Sequence, residues 1–163
     1  MAGENETLGL SEIVEGGYTR TQMRSLIFHL LYIIEGYEYD QPLSTAIENL
    51  NRGYDQKVPA DGHIAHVTQE IIDKREYLDA SIQSVLENWR LSRLGICTRL
   101  ILRIGVWELL FTDTPSNIVI NEAIELAKDF AEKDAYKFIN GVLDQVATKR
   151  DELKSKSSEP LES

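Results

Sequence analysis

Apolar residues recur at three- and four-residue steps through most of the chain, which is the pattern of helices with one buried face. The first such stretch can be capped by Thr19 or Thr21 and runs to about Gly36, with Met23, Leu26, Ile27, Leu30, Leu31 and Ile34 on its apolar side. Asp40-Gln41-Pro42-Leu43 reads as a turn into a second helix, with Pro42 near its first position and Leu43, Ala46, Ile47 and Leu50 facing inward. Beyond a loop over Gly53–Gly62, a third helix covers His63 to Lys74 on Ile64, Val67 and Ile71. A fourth covers 75–87 on Tyr77, Leu78 and Ile82. Trp89, in the link that follows, is expected to plug a gap between bundles. A fifth helix, from about Leu94 to Phe111, carries Ile96, Leu100, Ile101, Ile104, Trp107 and Leu110 over more than one face, so it should be the central one.

Two further helices close the pattern. Pro115 stops the preceding helix, and Ser116 or Asn117 can cap the next, which buries Ile120, Ala123, Ile124, Ala127 and Phe130. Asp134 then suits the N-cap of a last helix on Phe138, Val142, Leu143 and Val146. Gly141 interrupts that helix at a cost of about 1 kcal/mol relative to Ala, which predicts the close approach of another helix there. The expected fold class is all-α: about seven helices in two small packed helical bundles, with no sheet. Residues 18–150 form a single helical domain on this reading. Residues 1–17, rich in Gly and Glu, and residues 151–163, rich in Ser and Glu, are expected to be a disordered acidic arm and a disordered charged tail.

Arg103 lies within the most apolar helix, and a buried arginine needs a carboxylate partner. The predicted structural ion pair joins Arg103 to Glu108, or to Glu122 or Glu125 of the following helix.

The stretch Val119-Ile-Asn-Glu-Ala-Ile-Glu-Leu-Ala-Lys-Asp-Phe130, followed by Asp134-x-x-Lys137-Phe138-x-Asn140-Gly141-Val142-Leu143-Asp144, resembles the C-terminal signature of the NusB family of bacterial transcription antitermination factors. Leu100 to Leu110 resembles the helix preceding that signature, and Arg20–Tyr32 gives a weaker match. The likeness spans roughly 18 to 148. It implies a NusB-like fold and an antitermination factor that grips boxA RNA in ribosomal-operon leaders together with the ribosomal protein NusE, within an RNA polymerase antitermination complex. The resemblance assigns RNA contacts to Arg20, Arg24 and Tyr32 on the first helix and to Asp134, Lys137 and Phe138 at the start of the last. It also admits a homodimer. The family carries several more arginines where this chain reads Arg20-Thr21-Gln22-Met23-Arg24. That departure motivates an alternative, a NusB-fold protein-interaction adaptor with weak or lost RNA binding. A NusB-fused RNA methyltransferase would need a downstream methyl-donor domain, and the sequence ends at 163.

Charge and chemistry narrow the picture further. The net charge is −10, and the first seventeen residues contribute Glu4, Glu6, Glu12 and Glu15 with no Lys or Arg. Any RNA site must therefore be a local basic patch, since nucleic-acid-binding domains usually carry a basic footprint. A single cysteine, Cys97, excludes an internal disulfide framework. The N-terminus has no secretory pattern and no apolar run approaches a membrane span, so the expected location is cytoplasmic. His63 and His66 lack a third ligand at a diagnostic spacing. No phosphate loop, nucleophile elbow or Glu-x-x-His pair occurs, so neither enzyme activity nor a cofactor is expected.

Overall fold

The computed structural model describes residues 13–150 and residue 152. The order of elements is β1 (Ile13–Glu15), β2 (Tyr18–Thr19), α1 (Arg20–Gly36), α2 (Leu43–Tyr54), α3 (His63–Asp73), α4 (Arg75–Gln83), a 3-10 turn (Leu91–Arg93), α5 (Ile96–Phe111), α6 (Ser116–Phe130) and α7 (Ala135–Thr148). The fold is all-α apart from one short hairpin. The chain divides between Asp73 and Lys74 into two compact units. Lys74 leaves helical backbone geometry at φ −96° and ψ 11°, which separates α3 from α4.

In the first unit α1 packs against α2 and α3, and α2 against α3. Thr19 starts α1 with a reciprocal capping box. The Gln22 amide donates to Thr19 Oγ1 at 3.1 Å, and the Thr19 amide donates to Gln22 Oε1 at 2.8 Å. The core is formed by Leu30, Leu31 and Ile34 of α1, Leu50 of α2 and Ile64 and Ile71 of α3, each almost fully enclosed.

The arm expected to be disordered over 1–17 is ordered from Ile13 onward, and its residues 1–12 lie outside the described region. Ile13 pairs with Thr19 and Glu15 with Tyr18 in an antiparallel hairpin turned by Gly16 and Gly17, both at positive φ. Side-chain contacts fix this hairpin. Tyr18 Oη donates to Gln56 Oε1 at 2.8 Å and accepts from the Lys57 amide at 2.8 Å. The Glu15 carboxylate accepts from the amides of His63 and Ile64 at the start of α3. An anion there satisfies amides that no helical carbonyl can reach and meets the positive end of the helix dipole. Among the described residues, the one departure from the expected all-helical chain is this two-stranded hairpin.

In the second unit α5 contacts α4, α6 and α7, and every residue from Ile101 to Leu110 is buried. It is the central helix of this unit. Gly105 makes the closest approach: a Cβ there would lie 2.8 Å from Leu143 Cδ1 of α7. Gly141, where the sequence suggested such an approach, is exposed and has nothing within 4 Å of an added Cβ. The buried face of α6 is also rotated from the expected one. Val119, Ala123, Leu126 and Ala127 are buried, Ile120 and Ile124 are half-buried, and Phe130 is 36% exposed.

Arg103 is buried as expected, and its fork is held by Asp79 of α4, a partner the sequence did not point to. Arg103 Nε donates to Asp79 Oδ1 at 2.7 Å and Nη2 to Oδ2 at 2.9 Å. Packing of α4 against α5 brings the two together across 24 residues of sequence, a distance no local spacing rule covers. Glu108 is itself buried; Glu122 is half-buried, and Glu125 is exposed with Lys128 Nζ at 3.7 Å.

Candidate nucleic-acid interface

In the first unit the residues of interest all lie on α1. Arg20 occupies the first helical position, immediately after the Thr19 cap, and is exposed. A cation there gains nothing from the helix dipole, so its exposure leaves it open to an external anion. Arg24, one turn on, is different: it is buried at 9% exposure. The pair read as one basic patch is thus one surface cation and one largely internal one. Tyr32 lies eight residues beyond Arg24, about 12 Å along the axis, and is 49% exposed with its ring centroid 6.3 Å from that of Phe28. The buried Phe28 ring supports it from below, leaving a phenol face toward solvent.

In the second unit the site residues sit at the turn between α6 and α7. Asp134 holds the N-cap position, yet its backbone is left-handed, φ 68° and ψ 1°, and its side chain makes no capping hydrogen bond. The carboxylate stands instead 4.0 Å from Lys137 Nζ, with both groups exposed. A non-glycine residue in this region costs on the order of 1–3 kcal/mol and occurs most often where a site demands it. Phe138 is half-buried.

The sequence reading missed Tyr136. Lys128 Nζ lies 5.2 Å and Lys137 Nζ 6.0 Å from its ring centroid. Tyr136 lines a depression of about 510 Å³ with Asn121, Glu122, Ile124, Glu125, Lys128, Lys137 and Asn140. Tyr136 and Asn140 lie one turn apart on α7, which is readable from the sequence, whereas Lys128 reaches the ring from α6.

Other candidates resolve simply. Trp89, expected to be enclosed, is 57% exposed. His63 and His66 are exposed, with His66 Nε2 3.4 Å from Glu70 Oε2. Among the described residues no group of three or more His, Cys, Asp and Glu side chains could hold a metal. Burial pushes the Cys97 thiol above its ordinary pKa, and the nearby Glu132 carboxylate adds to the shift. No helix among the described residues is long and apolar enough to cross a membrane.

Exposed Arg20 at the start of α1, Tyr32 further along the same helix and Lys137 and Asn140 on the first turns of α7 make a helical binding protein the class. The model of the NusB family matches residues 21–148, and the chain belongs to that family. It is 35% identical to the transcription antitermination protein NusB of Macrococcus caseolyticus over 128 residues, 78% of this chain and 95% of the relative. It is 39% identical to that of Campylobacter jejuni over 126 residues, covering 77% and 93% of the two. Among solved structures, T. maritima NusB superposes with a TM-score of 0.69 at 29% identity, covering 82% of this chain and 95% of that one. A crystal structure of the antitermination factors NusB and NusE in complex with dsRNA gives 0.68 at 25% identity, covering 79% and 96%.

Proposed function

We propose that the chain is a transcription antitermination factor that binds boxA RNA of ribosomal-operon leaders together with the ribosomal protein NusE. It acts in the cytoplasm by binding rather than catalysis, as part of an RNA polymerase antitermination complex. The observation that carries this reading is the exposure, in a member of the NusB family, of Arg20 and Tyr32 on α1 and of Asp134 and Lys137 at the start of α7. These are positions to which the family pattern assigns RNA. Arg20 and Lys137 would meet phosphates, Tyr32 would stack on an unpaired base, and Asp134 would accept from a base edge or a ribose hydroxyl. Phe138, half-buried, would support the turn and offer a ring edge. The likeness to a relative crystallised with NusE and dsRNA supports the pairing with both partners.

A second reading, an adaptor that keeps the NusE contact with weakened RNA binding, is favoured by the burial of Arg24, which removes one cation from an already short basic segment. Read-through of a terminator placed downstream of boxA, in transcription reconstituted with polymerase, NusE and the full chain, tests the proposal. Read-through that depends on boxA and on Arg20 supports it. Unchanged termination with NusE bound to the chain points to the adaptor.

A further inference from the structure

Between Glu87 and Glu108 the sequence holds four arginines and no Asp or Glu, in a chain of net charge −10. Arg103 is consumed by Asp79. Of the other three, Arg90 and Arg93 flank the exposed Trp89 in the second unit, and Arg99 shares a neighbouring depression with Arg90. A depression of about 430 Å³ is lined by Asn88, Trp89, Arg90 and Arg93. A second, of about 560 Å³, is lined by Arg90, Ser92 and Arg99 together with Ala80, Gln83, Leu91 and Asp79, the carboxylate that holds Arg103, so the two meet at Arg90. Arg99 Nε is buried and makes no hydrogen bond among the described residues. A guanidinium N–H withheld from water and given no acceptor is a donor awaiting one.

The platform is held in shape. Gln83, at the end of α4, donates from Nε2 to the Trp89 carbonyl at 2.9 Å and accepts the Leu91 amide on Oε1 at 2.9 Å. One amide side chain thus clamps the backbone on both sides of Arg90, which fixes the indole without burying it. A tryptophan 57% exposed on a fixed loop forfeits the stabilisation that burial would give it.

We propose that the Trp89–Arg99 surface is a second nucleic-acid site, which takes an unpaired base on the Trp89 ring and the flanking phosphates on Arg90, Arg93 and Arg99. The chemistry selects a single strand. A duplex hides the faces of its bases, and a run of carboxylates on an acidic peptide would use the arginines but leave the indole bare. The site involves none of the α1 and α7 residues assigned to boxA, so it stands or falls separately from that reading.

The chain has two tryptophans, and Trp107 is buried, so a change in exposed-indole emission reports Trp89. The experiment titrates the full chain at low salt with a twelve-nucleotide oligouridine that lacks boxA, following tryptophan emission and, with a labelled strand, anisotropy. Emission should quench on binding. Trp89→Ala should weaken binding about 5- to 150-fold, the range that loss of one stacked base produces, whereas Trp89→Phe should keep most of the affinity. The double variant Arg90→Ala/Arg93→Ala should lower the salt slope by about 1.4, from two lost single-strand phosphate contacts. An Arg20→Ala chain should quench like the parent, which separates this site from the boxA face. The proposal is overturned if binding leaves the emission unchanged. It is equally overturned if the Trp89 and arginine variants bind as the parent does while remaining helical, or if polyglutamate quenches as strongly as oligouridine.

Discussion

Replacing Asp79 by Ala removes the carboxylate that accepts two hydrogen bonds from Arg103, at 2.7 and 2.9 Å. The arginine side chain is 8% exposed and the aspartate 32%. Exposed ion pairs contribute about 0–1 kcal/mol, while removing one partner of a buried pair costs about 3–5 kcal/mol because the other charge stays buried without compensation. This pair is asymmetric, and the charge left behind is the buried one. The expected cost of Asp79→Ala is therefore about 2–4 kcal/mol, near the upper range and reduced by the solvent that reaches the aspartate. With a urea dependence of about 1–3 kcal/mol per molar, the unfolding midpoint should fall by about 0.7 M or more. Arg103→Met removes the buried charge together with its need for a partner, and similar replacements are often neutral. It should cost less than Asp79→Ala. Equilibrium urea unfolding of both single variants and the double variant, followed by far-UV circular dichroism, gives the comparison. If Asp79→Ala lies within about 0.5 kcal/mol of the parent, or Arg103→Met is the more damaging change, the pair is not what holds α4 to α5.

Thermal melts should separate the two helical glycines. Gly141→Ala is expected to stabilise by about 0.5–1 kcal/mol, since the added methyl meets nothing, and Gly105→Ala to destabilise by about 1–3 kcal/mol through its clash with Leu143. Glu15→Gln should lose about 1 kcal/mol and speed hydrogen exchange at the His63 and Ile64 amides. Arg20→Ala should weaken RNA binding evenly across sequences and reduce the salt slope by about 0.7–0.9, whereas Arg24→Ala should lower the melting temperature because that side chain is buried. Cys97 should alkylate more slowly than a free cysteine at neutral pH, its rate still climbing as pH passes the ordinary thiol range. Glu132→Gln should accelerate it, because removing a nearby negative charge favours the thiolate.

The helices were legible because their cause is local. Thr19 and Gln22 cap α1 three residues apart, and the periodic apolar positions of α1 to α5 needed only their own neighbours to be read. What stayed hidden depends on partners distant in sequence. Glu15 looks like a solvated acid until the start of α3 lies against it, 48 residues away. Asp79 sits in a helix with nothing to mark it as the Arg103 partner. A glycine in a helix signals a close approach, but periodicity does not say which glycine, and the approach falls at Gly105 rather than Gly141. For the site, residue types were readable and exposure was not. Arg24 sits one turn from Arg20 and turns inward, because α1 carries apolar residues around much of its circumference. Trp89 reads as a plug between bundles, yet it is exposed on a loop whose backbone Gln83 holds.

The most direct test of the account is fluorescence anisotropy of a labelled boxA RNA titrated with the full chain, with and without NusE, at low and near-physiological salt, beside a scrambled RNA. The account predicts boxA-selective binding that tightens when NusE is present and weakens with Arg20→Ala. Equal affinity for boxA and scrambled RNA under every condition, with NusE still bound to the chain, would contradict it.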